Sequence, residues 1–141
     1  RSGQVKARGP CTAMTRFQLA HGARHWISEF GSPENEDELG VLLSYSPYHN
    51  VPDEIAAPAI LIYAPEADDR VAAWHGRKQL AQWQAASTSA RPILLRSPLH
   101  TGHQANSNLT TTVTRYTDIM AFFFWQLGIP SPLRGKDSAN V

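Results

Sequence analysis

Two short apolar runs, neither of them interrupted by a polar residue, stand out along the chain. They are Ala59-Ile60-Leu61-Ile62-Tyr63 and Pro92-Ile93-Leu94-Leu95. Neither run alternates between apolar and polar residues, which is typical of strands buried on both faces of a parallel sheet. The pattern therefore predicts two buried parallel strands, and Gly9 to Met14 is a candidate for a third.

Helical patterns lie around these strands. One helix is predicted by the acidic segment 34–38 and the apolar stripe that follows it at the spacing of one helical turn. A second helix is predicted over residues 72–86, where it joins the two strands. A last helix ends at Gly128, just before Pro130, because this pair of residues stops a helix. The positions expected to face inward on this helix are Leu109, Val113, Tyr116, Met120, Phe123 and Leu127.

The order strand, helix, strand, helix predicts an α/β fold: a parallel sheet of two to three strands with flanking helices. A sheet this narrow leaves an open edge and unburied apolar faces, so we expect it to be part of a larger sheet. Residues 1–8 carry no clear pattern and stay unplaced. Residues 9–130 form the expected folded part, and residues 131–141 are expected to form a disordered tail.

Composition and charge exclude several classes of protein. The 13 Lys and Arg residues nearly balance the 12 Asp and Glu residues, which argues against a nucleic-acid or anionic-membrane partner. A single cysteine, Cys11, rules out an internal disulfide. The longest apolar-rich run, Ile119 to Leu127, is too short to span a membrane, and no signal peptide is evident. We expect a cytoplasmic protein, with the periplasm as the open alternative.

An acid and a histidine follow the two predicted strands. Asp68 comes after the first strand and His103 after the second, 35 residues later along the chain. The carboxyl ends of parallel strands meet at one edge of a sheet, so the two side chains should lie close together. In α/β-hydrolases an acid and then a histidine follow late strands in this order. There the histidine takes the proton of a serine, and the acid holds the imidazole in the required tautomer.

The serine that would complete such a triad is missing from the sequence. No serine of the chain lies in a Gly-x-Ser-x-Gly turn. Plainer interpretations stay open at this point: Asp68 and Asp69 could cap the following helix, and His103 could be a solvated loop residue. His100 and His103 have no evident third partner, so neither a metal nor any other cofactor is expected.

Several motifs give the chain a family resemblance. In chain order they are Trp26-Ile27-Ser28-Glu29-Phe30-Gly31, Tyr45-Ser46-Pro47-Tyr48-His49-Asn50-Val51, Pro58-Ala59-Ile60-Leu61, Asp68-Asp69-Arg70-Val71 and Gly102-His103. In these motifs the chain resembles the C-terminal part of the catalytic domain of the prolyl oligopeptidase (prolyl endopeptidase) family, from about Gly9 to Pro130. The resemblance implies a partial α/β-hydrolase fold and a serine peptidase that hydrolyses short peptides on the carboxyl side of proline.

The resemblance also implies roles for individual residues. Asp68 and His103 match the triad aspartate and histidine. Trp26 matches an indole that stacks on the substrate proline ring, which suits two flat apolar surfaces. The other implied pocket residues are Phe30 in the lining, Arg70 as a donor to a substrate carbonyl, and Val71 in the wall.

In the family, this part of the domain is continuous with an upstream half-domain that bears the serine and with a β-propeller. Because the chain lacks the nucleophile, we expect it to be inactive in isolation. Two alternatives remain. The first is an inactive truncated or degenerate fragment that binds peptides or aggregates. The second is a different α/β-hydrolase, such as an esterase.

Overall fold

A parallel sheet lies at the centre of the larger part of the protein. The computed structural model describes residues 3–103 and 108–130, which fall into two compact units. The first unit contains three strands among its described residues, in the order β1 (Gln4–Arg8), β2 (Ala59–Tyr63) and β3 (Ile93–Arg96). The parallel sheet of the α/β class is as predicted, and so is the burial of β2. The predicted burial of the second strand was wrong, because β3 has one sheet neighbour among the described residues and its Leu94 is 41% exposed.

The strands are aligned so that all three end at the same level. Residue pairing in β1 and β2 runs to Arg8 opposite Tyr63, and pairing in β2 and β3 runs to Tyr63 opposite Arg96. Every residue of β2 is buried, as its apolar run predicts. The segments that follow the three strands therefore leave the sheet at one common edge.

The first strand lies earlier in the chain than expected. The candidate Gly9 to Met14 was wrong, because the strand is Gln4–Arg8 in the segment that the sequence pattern leaves unplaced. Val5, Lys6 and Arg8 are exposed in β1. In the described part of the chain β1 pairs only with β2, and such an edge strand does not need the continuous apolar run of a central strand.

Short helical turns fill the segment after β1. Two 3₁₀ turns, Met14–Leu19 and His21–Trp26, lead into helix α1 (Ile27–Phe30). Their apolar side chains form a core with the following helix, α2 (Glu36–Tyr45). The fully buried members of this core include Phe17 and Leu42. Helix α2 is capped by the Asn35 side chain, which accepts two backbone N–H groups of the acidic first turn.

A second core lies between β2, β3 and helix α3 (Trp74–Ala86). Gly76 explains how closely the helix approaches the sheet. A Cβ at this position would lie 2.6 Å from the Ala64 Cβ and 3.2 Å from Ile62 Cγ2. A glycine that weakens the helical pattern is therefore the residue that allows the helix to pack against β2.

Helix α4 (Leu109–Leu127) belongs to the second unit and begins at an Asn108 cap. The predicted end is correct, since Gly128 has a left-handed φ of +68° after the last turn. The predicted inward face was wrong: the buried residues are Arg115, Ile119 and Phe122. Apolar residues nearly surround the last turns of this helix, so their spacing does not select one face. The exposed members of the expected face are Leu109, Val113, Tyr116, Met120 and Leu127.

Among the described residues, no helix is long and apolar enough to cross a membrane. The expected tail of residues 131–141 lies outside the described residues.

A buried histidine joins α3 to the segment after β1. His75 is 1% exposed, and its Nδ1 atom accepts hydrogen bonds from the backbone N–H groups of Thr12 and Ala13 at 3.3 and 3.1 Å. The ring proton is therefore on Nε2, which lies 3.8 Å from Cys11 Sγ. Burial lowers the pKa of His75 to about 4 and raises the pKa of Cys11 to about 11. Both groups are neutral at pH 7, so they form a structural pair without a reactive thiolate.

The buried His75 makes the stability of the fold depend on pH. The lowered pKa of His75 means that the unfolded chain takes up the proton more readily. Its contribution is therefore complete above pH 6.5 and is lost as the pH falls toward 4. Between pH 7 and pH 4.5 we expect a loss of about 2–3 kcal/mol in the free energy of unfolding that is absent in His75→Gln. Urea unfolding at both pH values measures it. The exposed His25→Gln control should behave like the unsubstituted chain, and equal losses in all three would contradict the assignment.

Helix α3 also buries an amide without partners. Gln79 is 0% exposed, and among the described residues neither its Oε1 nor its Nε2 atom has a hydrogen-bond partner. A buried polar group without a partner destabilises a fold. We expect Gln79→Met to raise the free energy of unfolding in urea by about 1–3 kcal/mol. Gln82→Met, on the exposed side of the same helix, should change it by less than about 0.5 kcal/mol. A destabilised Gln79→Met chain would refute this prediction.

Candidate active site

The Asp68 carboxylate is held in a tight turn just after β2. Its Oδ1 atom accepts hydrogen bonds from the backbone N–H groups of Arg70 at 3.1 Å and Val71 at 2.9 Å. The Asp68 backbone N–H donates to the Pro65 carbonyl oxygen at 3.3 Å. Oδ1 therefore makes the local turn contacts that are typical of an aspartate before a helix. Oδ2 takes no part in these turn contacts.

The second oxygen meets His103. The distance between Asp68 Oδ2 and His103 Nδ1 is 2.8 Å, and the exposed fractions of the two side chains are 1% and 30%. A carboxylate can only accept hydrogen bonds, so Nδ1 carries the ring proton and donates to Asp68. This leaves Nε2 without a proton, which is the form in which an imidazole nitrogen can take one up.

A polar cluster connects the loop of the acid to the loop of the histidine. The Glu66 backbone N–H donates to the Pro98 carbonyl oxygen at 3.0 Å. The Glu66 carboxylate pairs with Arg77 of α3 and lies 2.7 Å from the Ser97 hydroxyl. The hydrogen bonds from Arg77 and then Ser97 lower the pKa of Glu66. These contacts fix the start of both loops relative to each other.

Arg8 at the end of β1 and Gly9 just after it also lie beside His103, and the sequence pattern identified neither. Arg8 donates from Nη2 to the His103 carbonyl oxygen at 2.9 Å. Gly9, with φ of +50°, lies beside the imidazole. Without knowledge of the strand, a single arginine and glycine near the start of the sequence carry no signal. Once β1 is placed at Gln4–Arg8, the glycine directly after this strand marks a point where another group can approach the backbone closely, at the edge of the sheet where sites form.

The two aromatic residues of the implied pocket lie together. The ring centroids of Trp26 and Phe30 are 6.0 Å apart, and Phe30 also contacts Phe17 edge-on at 5.6 Å. Their segment is joined to the loop of the acid, because the Gly22 N–H donates to the Asp69 carbonyl oxygen at 2.8 Å. The structure thus connects Trp26 to Asp68 through the backbone.

The remaining residues implied for the pocket differ in exposure. The Arg70 side chain is exposed, whereas Val71 is 6% exposed. A cavity of about 450 Å³ lies beside Phe30 and is lined by residues 27–31 together with Glu38 and Val41. Neither Trp26 nor the Asp68–His103 pair belongs to that lining.

A contact between a serine and a histidine elsewhere in the structure has a structural role. Ser46 Oγ lies 2.7 Å from His49 Nδ1 and also donates to the Thr12 carbonyl oxygen at 2.9 Å. Burial, and then the nearby Lys78 and Arg16 cations, lower the pKa of His49. The Ser46 side chain is 0% exposed and also accepts the Met14 N–H. A hydroxyl so enclosed cannot reach a substrate, so the Ser46–His49 contact holds the local fold together.

The described residues contain no cluster of three or more His, Cys, Asp or Glu side chains that could hold a metal ion. The Asp68–His103 pair is therefore the chemically suggestive feature of this edge of the sheet. What it offers is an imidazole with one nitrogen held by a buried carboxylate and the other available for proton transfer.

Comparison with known proteins supplies the context of this site. A model of the prolyl oligopeptidase family matches residues 4–130. The prolyl endopeptidase of Dictyostelium discoideum is 34% identical over 113 residues, covering 78% of this chain and 15% of the relative. The prolyl endopeptidase of Elizabethkingia meningoseptica is 30% identical over 119 residues, covering 84% of this chain and 17% of the relative.

Solved structures share the arrangement of elements. A chain from a structural and mechanistic study of two prolyl endopeptidases superposes with a TM-score of 0.84 at 32% identity, covering 91% of this chain and 19% of that one. Prolyl oligopeptidase B of Galerina marginata, a serine-to-alanine variant bound to a 35mer hydrolysis and macrocyclization substrate, superposes with a TM-score of 0.78 at 26% identity. The superposition covers 89% of this chain and 18% of the Galerina marginata enzyme. Histidine-to-alanine and aspartate-to-alanine variants of the same enzyme are also known with bound substrates.

The chain thus spans less than a fifth of the length of the relatives named here. Its sheet, its flanking helices and the match over residues 4–130 agree with one another. The chain belongs to the prolyl oligopeptidase family of serine peptidases and has a partial α/β-hydrolase fold.

Proposed function

We propose that this chain supplies the acid and the base of the Ser–His–Asp triad in a peptidase that cleaves short peptides on the carboxyl side of proline. The observation that carries the proposal is the 2.8 Å contact between Asp68 Oδ2 and His103 Nδ1. The carboxylate is almost inaccessible to solvent, while the imidazole is partly open to it. This difference in exposure suits the two roles, because His103 must reach the substrate as the base, whereas Asp68 contacts only the histidine.

In the proposed mechanism His103 acts twice. Its Nε2 atom takes the serine proton as the serine oxygen attacks the carbonyl carbon of the proline residue, and His103 gives that proton to the leaving amine as the C–N bond breaks. Water then attacks the acyl-enzyme, and His103 takes a proton from the water and returns it to the serine oxygen as the acyl–oxygen bond breaks and the acid product leaves. Asp68 keeps the Nδ1 proton in place and stabilises the imidazolium. The N–H groups of Arg70 and Val71 hold Oδ1, so the carboxylate does not need to reorient during the reaction.

We propose that the nucleophile comes from outside these 141 residues. The sequence contains no Gly-x-Ser-x-Gly turn, and Ser46, which contacts a histidine, is enclosed. In the described part of the chain β1 pairs on one side only, so its outer edge can receive a further parallel strand. We propose that an upstream half-domain adds the serine-bearing strand at this edge, and that a β-propeller continues from it as in the family. The substrate-bound relatives with Ser, His or Asp replaced support a triad of this type.

The proposed binding pocket is built around Trp26. Its indole would stack on the proline ring of the substrate, with Phe30 beside it and Val71 in the wall. Arg70, whose side chain is exposed, would donate to a substrate carbonyl oxygen. The backbone link from Gly22 to Asp69 supports this placement, because it ties the Trp26 segment to the loop of the acid.

The triad assignment predicts a large loss of activity. In an active protein that contains this chain, His103→Ala and Asp68→Asn should lower kcat on a Gly-Pro-anilide by roughly 10⁴-fold. The exposed control His25→Ala should leave kcat unchanged. The isolated chain should release no anilide above buffer, because it has no nucleophile. Full activity in His103→Ala would refute the role of this histidine. Activity of the isolated chain that His103→Ala abolishes would show that the nucleophile lies within it.

The pocket assignment makes a separate prediction. Trp26→Ala should lower kcat/KM for the Gly-Pro-anilide by roughly 10–100-fold, because the proline ring loses its stacking partner. The loss for a short-chain ester without proline should be much smaller. Trp125→Ala, which removes an exposed indole from α4, serves as the control. Equal rates of the unsubstituted protein on the anilide and the ester would favour an esterase.

A further inference from the structure

Arg8, the last residue of β1, and Gly9, which follows it, both lie beside His103. Arg8 Nη2 donates to the His103 carbonyl oxygen at 2.9 Å. Gly9 lies against the imidazole itself, because a Cβ at this position would be 3.3 Å from Cε1 and 3.4 Å from Nδ1. Neither residue transfers a proton in the mechanism described above, so their contacts call for a separate explanation.

Gly9 presents bare backbone to the paired side chains. Its N–H donates to the Tyr63 carbonyl oxygen at 2.9 Å, which extends the β1–β2 ladder by one residue. Its φ of +50° favours glycine, and an added Cβ would also lie 3.6 Å from Asp68 Oδ2. Any other residue here would strain the backbone and push the imidazole away by a few tenths of an ångström. The absence of a side chain at Gly9 therefore allows the ring to lie close to the end of β1.

Arg8 holds the same residue by its main chain. Its side chain is exposed, and β1 is anchored to the fully buried strand β2. The hydrogen bond to the His103 carbonyl oxygen thus ties the loop of the base to the sheet by a contact that does not involve the ring. The hydrogen bond from Nδ1 to Asp68 holds the imidazole ring, and the hydrogen bond from Arg8 holds the main chain of the same histidine.

We propose that Arg8 and Gly9 are positioning residues, which together keep the His103 imidazole aligned with Asp68. Arg8 fixes the backbone of the histidine, and the absence of a side chain at Gly9 allows the ring to lie close to the end of β1. This inference rests on the proposed function, because it requires His103 to be the catalytic base. Residues that act in this way affect the rate of the chemical step more than the binding of substrate.

The first test replaces Arg8 in an active protein that contains this chain. Arg8→Ala should lower kcat on the Gly-Pro-anilide by roughly tenfold, with KM changed by less than about twofold. Arg8→Lys should restore part of the rate, since an ammonium group can still donate to the carbonyl. Lys6→Ala removes an exposed cation two residues earlier on the same strand and should leave kcat unchanged. Equal effects of Arg8→Ala and Lys6→Ala would overturn the role of Arg8.

The second test separates contact from backbone strain at Gly9. Gly9→Ala should lower kcat by more than about tenfold. Gly128→Ala is the matched control, because Gly128 also has a positive φ but no heavy atoms within 4 Å of an added Cβ. Both variants should melt at a lower temperature, whereas only Gly9→Ala should lose kcat. Preserved kcat in Gly9→Ala would overturn its role. If Gly9→Ala does not fold, the Arg8 series alone decides the proposal.

A spectroscopic readout and one further variant keep the two proposals apart. The downfield proton resonance of the imidazole N–H donated to Asp68 should broaden in Arg8→Ala and stay sharp in Lys6→Ala. Loss of activity in His103→Ala, with Arg8→Ala and Gly9→Ala unaffected, would refute the positioning role alone. Retained activity in His103→Ala would refute the proposed function, and the positioning role with it.

Discussion

The level alignment of three parallel strands is the constraint on which the site depends. Tyr63, the last residue of β2, is paired with Arg8 on one side and Arg96 on the other. The segments after these strands therefore start from one line. One segment brings Gly9, the next brings Asp68, and the last brings His103. A slip of one residue in either pairing would move a whole strand along the sheet and separate these groups.

The buried position of β2 makes this alignment firm. All five of its residues are inaccessible, and Gly76 lets α3 pack against its neighbour Ala64 at close range. Asp68 follows this rigid strand after a short turn, in which its own Oδ1 accepts two backbone N–H groups. The interpretation as a turn-forming residue and the interpretation as a catalytic acid are therefore compatible. One oxygen shapes the loop, and the other orients the histidine.

Sequence patterns predict the strands that have continuous apolar runs, of which β2 is fully buried and β3 only partly. The apolar runs of β2 and β3 identify the sheet, and the positions of Asp68 and His103 after those runs identify the pair. The pattern does not identify β1, because an edge strand with exposed Lys6 and Arg8 has no apolar period. The contacts of Arg8 and Gly9 with His103 span more than 90 residues, and no local pattern reports a contact of that kind. The inward face of α4 was predicted wrongly because apolar residues nearly encircle its end.

The central claim is that Asp68 and His103 serve a serine located outside this sequence. The most direct measurement is labelling of an active protein that contains this chain with a fluorophosphonate, followed by mass-spectrometric location of the label. A fluorophosphonate reacts with a serine that a histidine activates. The account predicts a label on a serine beyond these 141 residues, and no label in His103→Ala. A label on a serine within the chain, or undiminished labelling in His103→Ala, would contradict it.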